Sequence, residues 1–241
     1  MRLFSDGNTG MVFILSGQLR IRNKENSEAE ILPEAFIYGQ VDRYHDIFSY
    51  DNTELLIVVF QPYGYFSLSG IPADELKAAI FDAYLIFGRG ICSLTDALRS
   101  GSSYLKSISL IESYFAGILK DTKTTSRLFN PVVNTIIHTK GQLTVSELIR
   151  LTGYPERKLE RLFNEGIGLS PLKYIQIVRL HHFLSIIRST NKPISLTIAG
   201  LESGYYDQPH LIHNFKQITG LTPTQYLSAT GTLAVNLVMV N

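Results

Sequence analysis

The feature that most constrains this chain is an octapeptide that occurs twice. Residues 168–175 read GLSPLKYI and residues 220–227 read GLTPTQYL, so Gly, Leu, a hydroxyl residue, Pro, Tyr and an aliphatic residue recur 52 positions later. Upstream, Phe163 corresponds to Phe215, and Gly153 to Gly204. Self-similarity of this kind indicates a repeated supersecondary unit. Each copy predicts a helix, a glycine turn, a second helix and a Gly-x-x-Pro exit.

Length and composition indicate a globular protein with buried cores. The 241 residues suit one large or two ordinary domains, and 45% of them are hydrophobic. The single cysteine, Cys92, excludes an intramolecular disulfide and a cysteine-based zinc site, and its apolar neighbours predict a buried side chain. Neither a signal sequence nor an apolar run of about 18 residues is visible, so we expect a cytoplasmic protein without a membrane span.

The two halves of the chain differ in charge. Residues 1–120 contain 10 Lys and Arg against 14 Asp and Glu, whereas residues 121–241 contain 12 against 7. The net charges are therefore −4 and +5, and the repeated half is the basic one. This asymmetry is typical of a nucleic-acid-binding module joined to a different module. Without a supporting sequence motif, it would fit ordinary variation in surface charge equally well.

Short strands are predicted in the first 60 residues. Five segments rich in Val, Ile, Phe and Tyr are separated by Gly, Pro, Asn and Asp, a pattern that predicts a small β-sandwich or barrel. They are residues 11–15, 18–21, 35–38, 46–50 and 55–60. Because the polar turn SDGNTG begins at position 5, we expect the barrel to lack an opening strand. His45 and Asp46 suggest a metal pocket, but no second histidine of this region completes a ligand set, so we predict no metal.

Helices are predicted after this β region. Pro72 and the acidic residues that follow it predict a helix over 72–88, and the segments 91–100 and 103–120 have apolar residues at helical spacing. Leu105 and Phe115 share one predicted face of the last helix. We interpret this face as core, with a dimer or interdomain surface as the alternative.

A domain boundary is predicted where the chain becomes polar. Residues 121–130 are polar and end at Pro131, which is typical of a linker. We therefore expect an N-terminal domain over 1–120, a second domain over 131–228 and a tail over 229–241. The fold class is α+β, with a small β-sandwich or barrel and trailing helices followed by an all-α domain.

The first copy of the repeat has the parts of a helix-turn-helix unit. Thr144 and Glu147 have the spacing of a capping box at the start of one helix, and Gly153 permits a tight turn. Pro155 suits the first turn of the second helix. A short second helix with a polar outer face is typical of a DNA-reading helix. That face contains Glu156, Arg157, Glu160 and Arg161.

The second copy repeats this arrangement, and a long helix separates the two. Asp207 is a good N-cap for the second helix, whose outer face contains Gln208, Pro209, Ile212, His213 and Lys216. Glutamine can read adenine, isoleucine can contact a thymine methyl group, and His or Lys can contact phosphate. The intervening segment 171–190 would span about 30 Å as a helix, close to one turn of B-DNA at about 34 Å. Its adjacent His181 and His182 would point in different directions, so we predict a structural role for them.

These motifs together resemble the AraC/XylS-type DNA-binding domain. The resemblance covers residues 131–228 and rests on GYPERKLERLF at 153–163, GLSP at 168–171 and GYYDQPHLIHNFK at 204–216 followed by GLTPTQY. It implies a transcription regulator, often an activator, with two helix-turn-helix units joined by a long helix. Pro155 departs from the capping Ser or Thr that is usual in the family. The region before residue 120 resembles the cupin-like sensing or association domain of some bacterial members.

The resemblance also implies roles for individual residues and partners. Base-reading positions fall on Arg157, Glu160 and Arg161 in the first unit and on Gln208, Pro209, Ile212 and His213 in the second. From charge and position we assign base contacts to Arg157 and Glu160 and phosphate contacts to Arg161, Lys173 and Lys216. The implied partners are double-stranded DNA, a homodimer partner, a small-molecule effector and, for an activator, RNA polymerase.

Two other classes of protein are alternatives to this hypothesis. A cupin-type enzyme finds no support, because the six histidines are scattered and no nucleophile triad, metal-ligand spacing or phosphate-binding glycine loop is present. We therefore predict a non-enzyme without cofactor or metal. A protein-interaction adaptor that keeps the fold but has lost DNA binding stays open, because residues 131–228 have a net charge of only +4.

Overall fold

The N-terminal half is built on two antiparallel sheets, one of which also contains two strands from the C-terminal tail. The computed structural model describes residues 1–22, 29–41, 44–49, 52–76, 80–101, 103–119, 122–189, 195–229, 232–234 and 236–239. The strands are β1 (Arg2–Phe4), β2 (Gly10–Ser16), β3 (Leu19–Arg22), β4 (Glu30–Ile31), β5 (Ala35–Tyr38), β6 (Tyr44–Ser49), β7 (Glu54–Val59), β8 (Ile80–Asp82), β9 (Thr232–Ala234) and β10 (Leu237–Val238). One sheet has the order β4-β3-β6-β1-β10-β9 and the other the order β7-β2-β5-β8.

The helices begin after β7 and continue through the C-terminal half. They are α1 (Gly64–Ser69), α2 (Ala83–Phe87), α3 (Arg89–Arg99), α4 (Tyr104–Ile118), α5 (Thr122–His138), α6 (Val145–Thr152), α7 (Glu156–Ile167), α8 (Pro171–Ser189), α9 (Leu196–Glu202), α10 (Gln208–Thr219) and α11 (Pro223–Ser228). A 3-10 turn covers Ala73–Leu76. The predicted α+β class, with a β-sandwich followed by an all-α region, is confirmed. In the part of the chain that the structure describes, no helix is both long enough and apolar enough to cross a membrane.

The sandwich is covered by helices on one side, which explains the apolar strand β2. Val12 and Ile14 face the other sheet and pack in one cluster with Leu19 and Ile47. The alternate residues Met11 and Phe13 pack against α3, α4 and their neighbours. Because both faces of β2 are buried, its apolar run is continuous instead of alternating.

Two predictions about secondary structure in the N-terminal half were wrong. An opening strand exists, since β1 pairs with β6 through Leu3 and His45. The segment 72–88 is not one helix: it contains the 3-10 turn, β8 and α2. Phe81 pairs with Ile37 of β5, so sheet pairing overrides the helical propensity there. Asp82 then starts α2 by accepting a hydrogen bond from the backbone N–H of Tyr84 at 2.9 Å.

The helices α3 and α4 confirm the predicted segments but not every predicted orientation. Phe115 is buried as expected, and its ring packs edge-on against Phe60 at 5.5 Å. Leu105, however, is 75% exposed, and Cys92 is exposed instead of buried. On α3 the buried side runs through Ile91 and Leu94, which leaves the intervening Cys92 on the outer side.

The predicted linker forms part of a helix. From Thr122 onward, residues of 121–130 belong to α5, which continues through Pro131 to His138. Phe129 of this helix is buried and stacks on Tyr63 of the N-terminal half with ring centroids 4.9 Å apart. Residue 121 lies outside the described residues. The domain limits 1–120 and 131–228 stay a prediction, although the packing of Phe129 continues across the boundary.

The C-terminal half is a helical bundle around α8. Phe183 of α8 makes edge-on ring contacts with Tyr205 at 6.4 Å and with Phe215 at 5.9 Å. Buried residues are found on several sides of α8, including Tyr174, Leu180 and Leu184. The long helix predicted over 171–190 is confirmed from Pro171 to Ser189, and residue 190 lies outside the described residues. Helix α8 therefore lies at the centre of a hydrophobic core and does more than connect the two repeated units.

Candidate nucleic-acid interface

The first helix-turn-helix unit consists of α6, a turn at Gly153 and α7. The predicted capping box is present: the Thr144 N–H donates to Glu147 Oε2 at 2.8 Å, and the Glu147 N–H donates to Thr144 Oγ1 at 3.2 Å. These bonds hold the pKa of Glu147 below its usual value, with the backbone bond from Thr144 as the main cause. Gly153 has φ of 70° and ends α6, which lets α7 start after Pro155.

The second unit consists of α9, a turn at Gly204 and α10. Asp207 caps α10 as predicted, accepting a hydrogen bond from the His210 N–H at 2.7 Å. The buried hydroxyl of Tyr205 donates to Asn214 Oδ1 at 2.9 Å, which ties the turn to the inner side of α10. Gly204 has φ of 83°, so the correspondence between Gly153 and Gly204 in the sequence reflects two left-handed turn residues.

The repeated octapeptide forms the exit from each recognition helix. Gly168 and Gly220 end α7 and α10 in the left-handed conformation, with φ of 83° and 71°. The following prolines, Pro171 and Pro223, are the first residues of α8 and α11. Thr222 caps α11 by accepting a hydrogen bond from Gln225 N–H at 3.2 Å. The repeat therefore stops one helix and starts the next with a fixed change of direction.

Polar contacts fix α8 relative to the units that it connects. The Arg179 guanidinium donates from Nε to the carbonyl of Gly141 at 2.9 Å, which holds α8 against the segment before α6. Desolvation lowers the pKa of Arg179 from its ordinary value. At the far end, Arg188 Nη1 donates to the Tyr226 hydroxyl at 3.1 Å. The two recognition helices are thus attached to one helix of about 28 Å.

The structure places the predicted DNA-binding residues on two solvent-facing surfaces. The residues of α7 are Arg157 and Arg161, both exposed, and Glu160, which is half-buried. Those of α10 are all exposed and consist of Gln208, Pro209, Ile212, His213 and Lys216. Lys173 is half-buried in the first turn of α8, just beyond the end of α7. All nine positions stay predictions for DNA contact.

Three further side chains belong to these surfaces and were not predicted. Thr197 of α9 donates from Oγ1 to Gln208 Oε1 at 3.3 Å. Lys158 of α7 places its ammonium 3.9 Å from the centroid of the Tyr154 ring. Gln217 lies beside Ile212, His213 and Lys216 in a surface recess on α10. Only the position of Lys158 beside Arg157 offered a signal in the sequence, since the other two contacts depend on how the helices pack.

His181 and the SDGNTG turn meet away from these surfaces. His181 of α8 forms a hydrogen bond from Nε2 to the Ser5 carbonyl at 2.9 Å, and burial lowers its pKa despite the nearby Asp6. Gly7 of the turn lies against the ring of Tyr174. His181 therefore has a contact between the two halves, and among the described residues no cluster of three or more His, Cys, Asp or Glu could hold a metal ion.

Comparison with known proteins matches both halves of the chain to families. Residues 148–229 match a helix-turn-helix domain of the AraC type. The C-terminal region of this chain is therefore similar to the AraC-type helix-turn-helix domain. Residues 1–82 match DUF6597, a domain of unknown function. The family match begins within α6 and includes α7 and the whole second unit.

Curated relatives are similar to this chain in sequence, and a solved structure shares its fold. An uncharacterized HTH-type transcriptional regulator of Haemophilus influenzae is 24% identical over 184 residues, which covers 74% of this chain and 60% of that protein. A Staphylococcus aureus regulator with the same description is 30% identical over 90 residues, or 37% of this chain and 12% of that protein. The chain thus spans less than two thirds of either relative. The crystal structure of ToxT from Vibrio cholerae O395 has the same fold, with a TM-score of 0.54 at 11% identity, covering 94% of this chain and 92% of ToxT.

Proposed function

We propose that the protein is a sequence-specific DNA-binding transcription regulator that reads two successive major-groove segments. The observation that carries this proposal is the duplicated unit: α7 and α10 each expose a polar face, and α8 joins them over about one helical turn of B-DNA. A bipartite reader needs this rigid spacing, because each helix must enter its groove while the other stays in register.

The exposed side chains suggest a division between base and phosphate contacts. Arg157 stands one turn before Arg161 on α7, so Arg157 would reach base edges while Arg161 meets the flanking phosphate. On α10, Ile212 is suited to a thymine methyl group and Lys216 to a phosphate. Gln208 can read adenine with both ends of its amide only if the hydrogen bond from Thr197 is given up, because that bond occupies Oε1.

Partners other than DNA are part of the same proposal. One ToxT structure is described as bound to an unsaturated fatty acid, with a TM-score of 0.53 at 11% identity to this chain. We propose a small-molecule effector here as well, together with a homodimer, and a role as an activator that contacts RNA polymerase. A DNA partner also supports the cytoplasmic location that we expect from the sequence. We propose no enzymatic activity.

Selection of bound sequences from a random DNA pool tests the proposal with the full chain at a fixed salt concentration. The expected result is a motif with two boxes about one helical turn, or roughly 10.5 base pairs, apart. Arg157→Ala should lose the preference at positions of one box only, while keeping the other box. Failure of the full chain to enrich any sequence would overturn the proposal and favour the adaptor alternative.

A further inference from the structure

One hydrogen bond links the first turns of the two helices in the second helix-turn-helix unit. The Thr197 hydroxyl of α9 donates to Gln208 Oε1 of α10 at 3.3 Å, and both side chains are exposed. We call this hydrogen bond the clamp. Gln208 is the first residue of α10, and the N-terminal residues of a recognition helix are the ones that contact base edges. The clamp therefore holds a side chain that is placed to read a base.

The clamp depends on a close approach of α9 and α10 one helical turn further along. Gly200 lies three residues after Thr197, and Leu211 lies three residues after Gln208. A Cβ at the buried Gly200 would lie only 3.0 Å from Leu211 Cδ2. Because glycine has no Cβ, the two helices can pack this closely. The close packing brings the Thr197 hydroxyl within reach of the Gln208 amide.

The first unit has a different arrangement at the equivalent positions. Ser146 is the second residue of α6, as Thr197 is of α9. One turn later the first unit has Ile149, which packs against the core of the C-terminal half, where the second unit has Gly200. The described residues of α7 include no hydrogen-bond partner for the Ser146 hydroxyl. Ser146 is therefore a matched control for Thr197.

The main chain on both sides of Gln208 is restrained as well. Asp207 Oδ1 accepts a hydrogen bond from the His210 N–H at 2.7 Å, and Pro209 fixes its own φ directly after Gln208. Among the described residues, Thr197 is the only hydrogen-bond partner of the Gln208 amide. With the backbone held, the Thr197 hydroxyl decides which end of the amide faces the solvent.

The orientation of the amide favours one kind of base edge. In a helix-turn-helix unit the first helix crosses the DNA backbone while the second lies in the major groove, so an oxygen directed at α9 is directed away from the bases. The Gln208 NH₂ group, with two hydrogens to donate, then leads into the groove. Adenine needs both ends of the amide, whereas guanine presents two adjacent acceptors, N7 and O6.

We propose that Thr197 is a positioning residue that makes Gln208 read guanine instead of adenine. The inference rests on the proposed DNA-binding function and names a base specificity of its second unit. A side chain that is already held in its reading orientation loses less freedom on binding. Without the Thr197 hydroxyl the amide can rotate and present both ends, so adenine becomes the better partner.

Selection of bound sequences from random DNA with the full chain tests this base preference. Gln208→Ala identifies the position that Gln208 reads, because the preference there disappears, and the unchanged protein should prefer guanine at that position. Thr197→Val, which has nearly the same shape but no hydroxyl, should lower the ratio of guanine to adenine affinity by about two- to tenfold, as expected for one hydrogen bond. Thr197→Ser should keep the guanine preference, and Ser146→Ala should leave both boxes unchanged.

Nuclear magnetic resonance of the free protein tests the clamp without DNA. The order parameter of the Gln208 Nε2 group should be higher in the unchanged protein and in Ser146→Ala than in Thr197→Val. Because Thr197 and Ser146 are exposed, circular dichroism should show the same fold for all these proteins. Only the clamp then distinguishes Thr197→Val from its control.

Three results would overturn this inference and leave the proposed function in place. They are a preference for any base other than guanine at the Gln208 position, a ratio of guanine to adenine affinity that Thr197→Val leaves unchanged, and equal mobility of the Gln208 amide with and without the Thr197 hydroxyl. A different result rejects the proposed function itself. If no DNA sequence is enriched while the amide is held as expected, DNA reading and its guanine preference are rejected together.

Discussion

Replacement of Gly220 by alanine should destabilise the protein more than replacement of Gly153, although both glycines end a helix with nearly the same backbone conformation. Their φ values are 71° and 70°. A Cβ at Gly220 would overlap the ring of Tyr44, whereas a Cβ at Gly153 would meet no atom within 4 Å. The pair therefore separates the cost of the backbone conformation from the cost of contact between the two halves.

The expected magnitudes follow from these two terms. A left-handed conformation costs a residue with a Cβ roughly 1–2 kcal/mol, and the reduced freedom of the unfolded chain returns about 0.4–1 kcal/mol in both variants. Overpacking against the Tyr44 ring adds about 1–3 kcal/mol for Gly220→Ala alone. The free energy of unfolding should therefore fall by about 1–3 kcal/mol more for Gly220→Ala than for Gly153→Ala.

Urea denaturation followed by circular dichroism measures this difference, and Tyr44→Ala supplies the second arm of a double-mutant cycle. In the Tyr44→Ala background the excess cost of Gly220→Ala should disappear, because the ring that obstructs the Cβ is gone. Equal losses for the two glycine variants, or an excess that persists without the Tyr44 ring, would refute the contact between α10 and the N-terminal sheet.

Four other outcomes are expected. Arg157→Ala should cost about 1–3 kcal/mol at the selected DNA site and relax specificity there, whereas Lys216→Ala should weaken all sequences alike and reduce the salt slope by about 1 in filter-binding titrations; uniform loss for Arg157→Ala would contradict base reading. Thr144→Ala should lower the free energy of unfolding by about 0.5–2 kcal/mol in urea, and no change would argue against the cap. Burial lowers the pKa of His181, so the folded chain keeps this ring neutral while the unfolded chain takes up a proton below its ordinary value of 6.5. Stability should therefore decrease on acidification through that value, less steeply in His181→Gln, and an identical slope in that variant would exclude His181 as the cause.

Local features of the recognition units could be predicted because they depend on residues close in sequence. The capping box of Thr144, the cap of Asp207 and the left-handed turns at Gly153 and Gly204 each involve residues within one turn of a helix. The predictions that were wrong concern segments whose structure depends on residues far away in the sequence. Residues 80–82 became a strand because β5 is there to pair with them, and Cys92 is exposed because Ile91 and Leu94 set the buried side of α3.

The sequence by itself determined the duplicated unit, the helix that joins the copies and the polar faces that carry the proposed DNA contacts. Their signals are periodicity, caps and the repeated Gly-x-x-Pro exit, which act within a few residues. Only the tertiary structure decided that the tail pairs with β1 and that Tyr44 meets Gly220. Such contacts join residues more than 170 positions apart, and no local sequence pattern specifies them. Strand pairing and burial depend instead on which surfaces remain uncovered once the helices have packed.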